Sequence, residues 1–420
     1  MKNTAHVRLS AITLVTLTLF APRSTWAQGS LTPPGPPSPT MLTLNQVEPR
    51  TPITNTTAAT ISASGSYYLT ANITVTNGSG VTITTSAVTL DLNGFTISST
   101  APTANGAGVV ATGVNDIYVR NGHVTGTIVW NGSSYTGGGF LRGVNCNGTN
   151  VWVAGVTVHG VSLGGVVLQL NNDTVVESCT VFTAGGNGIG ADTVANSVAY
   201  YCGQVGILAN TAQNCVGSAT SSDAGLNATT AYNCSGTSVN GYGLYASSAN
   251  NCSGVSSNGT GLQANTVINC YGTSVSGTGI NAIYTAENSY GAGIGGSGLF
   301  AYYTAQNCYG ICSNSSGIGL YARNAINCYG YNPISGPFGN GLNCADSAQN
   351  CAGYSSNGIA LYASVANNSI GQAVNGVGLW ANLAIGCYGS STTTGIVAMI
   401  ANSCYSSSGD AAITYTYNMP

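Results

Sequence analysis

From about residue 188 onward the chain restates a unit of roughly eighteen residues, close to G-x-G-L-x-A-x-x-A-x-N-C-x-G-x-S-x-N. It is plainest in GYGLYASSANNCSGVSSN from Gly241 and in GTGLQANTVINCYGTSVS from Gly259. A branched apolar residue recurs at Leu226, Leu244, Leu262, Ile280, Leu299, Leu320, Leu342, Leu361 and Leu379. Beside it runs a thiol or hydroxyl column: Cys179, Ser197, Cys215, Cys234, Cys252, Cys270, Ser289, Cys308, Cys328, Cys351, Ser369, Cys387 and Cys404. A short period repeated this often predicts a solenoid, in which each repeat buries itself only against its neighbours. Gly and β-branched residues are too frequent for helical repeats, and no 3.6-residue apolar stripe survives.

Alternation of inward and outward residues places strands in the irregular first part as well. GVTITTSAVTLDLNGFTIS from Gly80, NDIYVRNGHVTG from Asn115, NVWVAGVTVHG from Asn150 and NDTVVESCTVF from Asn172 align with one another. The alignment puts Ile117, Val151 and Thr174 in one column, Val119, Val153 and Val176 in the next, and Gly122, Val156 and Cys179 in a third. In the regular repeats Leu244, Ala246, Cys252, Gly254 and Ser256 point inward, with a bend near Asn251. The expected fold class is therefore all-β, a single-stranded parallel β-helix with coils of about 18–22 residues. Coils stacked about 4.8 Å apart give a rod on the order of 80–90 Å long.

The N-terminus reads differently. Met1, Lys2 and Arg8 precede the apolar LSAITLVTLTLFA from Leu9, and Thr25, Trp26 and Ala27 form a small-x-small cleavage site. This predicts a signal peptide over residues 1–27 and a secreted protein, periplasmic, cell-surface or extracellular. The apolar run is shorter than the roughly 20 residues that span a bilayer, so no transmembrane segment is expected after cleavage. Residues 28–54 carry LTPPGPPSPT and EPRTPI and read as a proline-rich linker, with folding expected to begin near Ala58. Residues 55–187 are the irregular coils with one loop insertion, and 188–420 the regular repeats with a short C-terminal end. Beyond the leader only Arg50, Arg120, Arg142 and Arg323 face the 10 acidic residues. A nucleic-acid partner needs a basic footprint, and so does an anionic membrane. Neutral, hydroxyl-rich partners remain: a polysaccharide or a cell-surface glycan.

The segment SGSYYLTANITV followed by GVTITTSAVTLDLNGFTIS resembles the first coils of secreted bacterial right-handed parallel β-helix proteins of the pectate-lyase-like superfamily. The likeness is carried by Ile61, Gly65, Ser66, Tyr67, Tyr68, Leu69 and Asn72, then Val88 through Ile97. The right hand of the coil is what this resemblance implies. Its lyases use an Arg or Lys base with clustered acidic calcium ligands, and no such cluster occurs here. Its polygalacturonase-like hydrolases carry N-T-D, D-D, G-H-G and R-I-K motifs; here NGH at Asn121 is only a partial echo.

The candidate sites follow from the columns. Buried Cys behaves as a small hydrophobe, and Ser replaces it at Ser197, Ser289 and Ser369, so stacked free thiols are favoured over disulfides. The off-column Cys146, Cys202, Cys312 and Cys344 are the better disulfide candidates. No CxxC pair or His cluster accompanies the column, so no metal or other cofactor is expected. Asn196, Asn214, Asn233, Asn251, Asn269, Asn288, Asn307, Asn327, Asn350 and Asn368 sit at the bend, where Asn tolerates left-handed backbone.

Outward rings form two rows. One holds Tyr271, Tyr290, Tyr309, Tyr329, Tyr388 and Tyr405; the other holds Tyr245, Phe300, Tyr321, Tyr362 and Trp380. Exposed rings suit stacking on sugar faces, and Tyr271, Tyr290, Tyr309, Tyr329 and Tyr388 are the candidate ligand residues. Mutual stacking along the sheet is the competing and favoured reading. Catalysis would draw on Asp91, Arg120, His123, Asp173 and Glu177, with Arg120 and Glu177 two rungs apart in one column around Ala154. A carboxylate pair of Asp91 with Asp173 or Glu177 is one such arrangement, and a surface ion pair is the plainer alternative. The expected function is a structural or carbohydrate-interacting rod without catalysis. A polysaccharide-degrading lyase or hydrolase is second. An ice- or surface-binding solenoid is third, because Thr does not recur in two adjacent outward columns.

Overall fold

A computed structural model describes residues 48–336, 339–407 and 410–418. The expected signal peptide and most of the expected linker, residues 1–47, lie outside the described residues. The compact unit is Arg50–Pro420. It is an all-β parallel solenoid of about 19 turns, which at about 4.8 Å per turn is about 90 Å of stacked coil. Among the described residues no helix is long and apolar enough to cross a membrane.

Strand pairing begins at Thr51–Ile53, which lies parallel to Gly65–Leu69, so the coil starts earlier than Ala58. From there each coil pairs in register with the next. Leu226, Leu244, Leu262, Ile280 and Leu299 stack one above another, as do Ala228, Ala246, Ala264, Ala282 and Ala301. The columns of the irregular part hold too: Ile117 pairs with Val151, Val119 with Val153, and Val153 with Val176. The first coils fill their interior with Ile, Leu, Val and Phe140, whereas the regular coils close on Leu, Ala and Cys.

Each regular coil bends at three places, and each bend has a local cause. Within Leu244–Asn250, two successive outward residues, Ser247 and Ser248, interrupt the alternation between buried Ala246 and Ala249. At the second bend Asn251 takes φ 53, and the other asparagines of its column also lie in the left-handed region. The third is the turn after Ser256, whose hydroxyl accepts from the Gly259 amide at 2.8 Å and donates to the Gly241 carbonyl at 2.7 Å.

The thiol column serves the second bend. There the Cys252 amide donates to Sγ of Cys270 in the next coil at 3.4 Å, and the Cys270 amide donates to Oγ of Ser289 at 3.0 Å. Each thiol or hydroxyl in turn donates to the carbonyl two residues back, as Cys252 does to Asn250 at 3.2 Å. A buried amide left without a partner costs about 1–3 kcal/mol. Ser can therefore replace Cys in this column because it supplies the same acceptor and donor.

The expectation of off-column disulfides is overturned. All 14 cysteines are free and buried. Cys146 stacks between Ala111 and Leu168, and Cys344 between Ala322 and Ala363. Cys202 stacks between Ala184 and Ala219. Cys312 takes the turn-capping place of Ser256, donating to the Gly296 carbonyl at 2.9 Å. None has a thiol above or below it in its column. Burial pushes the Cys146 and Cys202 thiols up to about 12, which keeps them protonated and unreactive.

Candidate functional site

The charged set divides rather than converging. Asp91 is only 5% exposed, so it is not the surface charge expected from sequence. Its Oδ2 lies 3.1 Å from both Arg50 and Arg120, while Oδ1 accepts from the Asn93 amide at 2.8 Å. Each guanidinium also lies over a tyrosine, Arg50 at 4.7 Å from the Tyr68 centroid and Arg120 at 5.6 Å from that of Tyr118. Burying this carboxylate is tolerable because two cations and a backbone amide compensate it.

The remaining members sit elsewhere. The column Asp91, Arg120, Ala154, Glu177 is as aligned from sequence, which puts Glu177 three coils from Asp91. At about 4.8 Å per coil that is roughly 14 Å, beyond the ~5–9.5 Å of paired glycosidase carboxylates. Asp173 is a bend residue with φ 53 on the exposed corner. His123 lies past the bend at Asn121, stacked between Thr96 and Thr157. The inserted segment forms a small hairpin, Val129–Trp130 against Tyr135–Thr136. Tyr135 ties it to the Tyr201 carbonyl and to Thr220, both at 2.9 Å, rather than to Asp91 or Arg120.

The predicted tyrosine row is real, and it is stacked upon itself. Tyr271 and Tyr290 have centroids 5.2 Å apart and planes 6° apart; Tyr290 and Tyr309 follow at 5.4 Å and 8°, and Tyr309 and Tyr329 at 5.0 Å and 21°. Tyr388 stacks on Tyr405 at 5.8 Å and donates its hydroxyl proton to Ser407 at 2.7 Å. Burial pushes Tyr290, Tyr309 and Tyr329 up from the ordinary phenol range, and neighbouring phenols add to this. Phe300 on Tyr321 and Tyr362 on Trp380 pair in the same way in the second row. Most ring faces in these rows are already covered by another ring.

A different cluster leaves its rings open. In the coil of Ile280–Glu287 and again in that of Leu299–Gln306, one extra residue enters the bend between the inward alanines. Ala246-Ser-Ser-Ala249 thus becomes Ala282-Ile-Tyr-Thr-Ala286 and then Ala301-Tyr-Tyr-Thr-Ala305. The widened bends push out Ile283, Tyr284, Tyr302 and Tyr303. Tyr284 is 49% exposed, Tyr302 48% and Tyr303 44%. Tyr302 and Tyr303 meet edge to face at 4.9 Å and 82°, and Tyr284 tilts against Tyr303 at 5.9 Å and 31°. With Asn281, Ile283 and Phe300 they line a cleft of about 310 Å³. In the following coils of the same column Arg323 pairs with Asp346 at 2.9 Å. That hydrogen bond, then the Asp346 charge, raises the arginine pKa, with smaller help from Tyr302 and Tyr303.

Ile283, Tyr284, Tyr302 and Tyr303 were not singled out from sequence, although the lengthened alanine interval in AIYTA and AYYTA carries their signal. Asp192 was also missed. Its carboxylate accepts from the amides of Asn171, Asn172 and Thr174 and so holds the adjoining coil's turn. Among the described residues no group of three or more His, Cys, Asp or Glu is placed to hold a metal ion. Comparison with protein-family models, curated proteins and solved structures returns no match to this chain.

Proposed function

We propose that the chain is a secreted, non-catalytic β-helix rod, kin to the pectate-lyase-like superfamily, that binds a neutral glycan through its open aromatic side chains. The observation that carries the reading is the cleft of Tyr284, Tyr302 and Tyr303, whose rings meet edge to face or tilted instead of in a closed stack. The C–H faces of a sugar ring pack on such rings, while tyrosine hydroxyls and the Asn281 carboxamide supply polar contacts. The scarcity of charge, 4% of residues, favours an uncharged partner over an acidic one.

Catalysis is disfavoured by the occupation of Asp91 by two guanidiniums and by its distance from Glu177. The test is to incubate the purified protein with neutral polysaccharides, measuring retention by affinity electrophoresis and the release of reducing ends. Retention without release is expected, and Tyr302→Ala with Tyr303→Ala should weaken retention at least tenfold. Release of sugar would overturn the non-catalytic reading, and absence of retention would overturn glycan binding.

A further inference from the structure

We infer that a second glycan subsite lies where the tyrosine stack ends, in the groove running from Tyr271 back over Ser253, Ser235 and Val216. The inference rests on the carbohydrate-binding reading above, but it concerns a different surface. The outward column after the thiol runs Val216, Ser235, Ser253, Tyr271, Tyr290 in register. Tyr271 is therefore the last ring of its stack. One face lies on Tyr290, and the other looks along the rod over Ser253, leaving the residue 47% exposed. Where the next ring would sit there is instead a groove of about 550 Å³, floored by these small side chains and flanked by Asn214, Asn233, Asn251 and Asn269.

The flanking asparagines point to the same ligand. Two of the four are spent on the column itself: Asn214 donates to Asn196 at 3.0 Å and Asn233 to Asn214 at 3.2 Å. Further along, Asn307 donates to Asn288 at 3.0 Å and Asn327 to Asn307 at 3.1 Å. Between those runs, Asn251 and Asn269 make no side-chain hydrogen bond among the described residues. The ladder is thus broken inside the groove, beside the open face of Tyr271. A carboxamide offers two donors and an acceptor, which matches vicinal hydroxyls.

No charged side chain lines the groove, so it has nothing with which to pair a uronate or a sulfate. The geometry fits a neutral glycan lying parallel to the rod. One sugar ring takes the place of the missing tyrosine on Tyr271, its hydroxyls reach Asn251 and Asn269, and further units extend over Ser235 and Val216.

The test uses titration calorimetry with neutral cello-, manno-, xylo- and malto-oligosaccharides. The whole protein carrying Tyr302→Ala and Tyr303→Ala has lost the cleft, so binding that remains reports the groove. Adding Ser253→Tyr extends the stack into the groove, and Tyr271→Ala removes its platform by the opposite route. Each is expected to weaken the remaining binding tenfold or more, with melting curves confirming that the fold persists. The inference is overturned if the cleft variant binds nothing while the unaltered protein binds. It is also overturned if neither added substitution changes the remaining affinity. Failure of the unaltered protein to bind any of these sugars refutes the glycan reading itself.

Discussion

Two sets of tyrosines on the same rod behave in opposite ways. Tyr290, Tyr309 and Tyr329 lie in coils whose short strands pair in strict register, and each ring sits on the one below. Tyr284, Tyr302 and Tyr303 lie in the same coils as Tyr290 and Tyr309, but at the bend that carries one residue more, and their rings are turned across one another. Residue type is the same in both. What differs is whether the in-register repeat hands each ring a partner. In-register stacking converts exposed rings into support for the sheet, and a local break in register releases them for a ligand.

The largest expected effect comes from breaking the closed set. Tyr290→Ala with Tyr309→Ala removes three ring contacts, at about 0.5–1.5 kcal/mol each, for a loss of roughly 2–4 kcal/mol in urea unfolding. Tyr302→Ala with Tyr303→Ala should cost less than about 1 kcal/mol, since both rings are exposed at a bend. Equal losses in the two variants would break the comparison.

A somewhat smaller effect tests the frame beneath both sets. Cys270→Ala deletes the acceptor for the buried Cys252 amide and should cost about 1–3 kcal/mol. Cys270→Ser keeps the acceptor and should cost less than about 1 kcal/mol, as the natural serines of the column imply. If the two substitutions cost the same, the column is packing alone.

The smallest effect is in pH. The stacked phenols have raised pKa values, so the unfolded chain, titrating near 10, loses those protons first. Their contribution is complete below that pH and is lost as pH rises through the folded values. Thermal melts should therefore fall more steeply above about pH 10 in the unaltered protein than in the Tyr290→Ala, Tyr309→Ala variant.

Much of this was legible in the sequence, because a repeat makes each residue's neighbours predictable. The columns of Leu244, Ala246, Asn251 and Cys252 and the register of Arg120 with Ala154 and Glu177 follow from alternation plus period. So does the favoured mutual stacking of the tyrosine row. What period two cannot report is what happens around a bend. His123 and Arg120 are near in sequence yet separated by the left-handed residue Asn121. The partner Arg50 lay in a segment read as linker, so the burial of Asp91 between two arginines was hidden. Cys202 and Cys312 looked like disulfide candidates because they stand in a different column, where Cys202 lies between Ala184 and Ala219 and Cys312 lies on Gly293. The open cleft was missed because a single inserted residue alters side-chain direction without disturbing the recurring alanines.

The most direct test is a paired measurement of glycan affinity on the Tyr302→Ala, Tyr303→Ala variant and the Tyr290→Ala, Tyr309→Ala variant, at a temperature where both are folded. The first should lose at least tenfold in affinity for long neutral chains, about 1.4 kcal/mol, and the second should lose less than about threefold. A loss confined to the stacked pair, or equal losses in both, would contradict the division between closed and open rings.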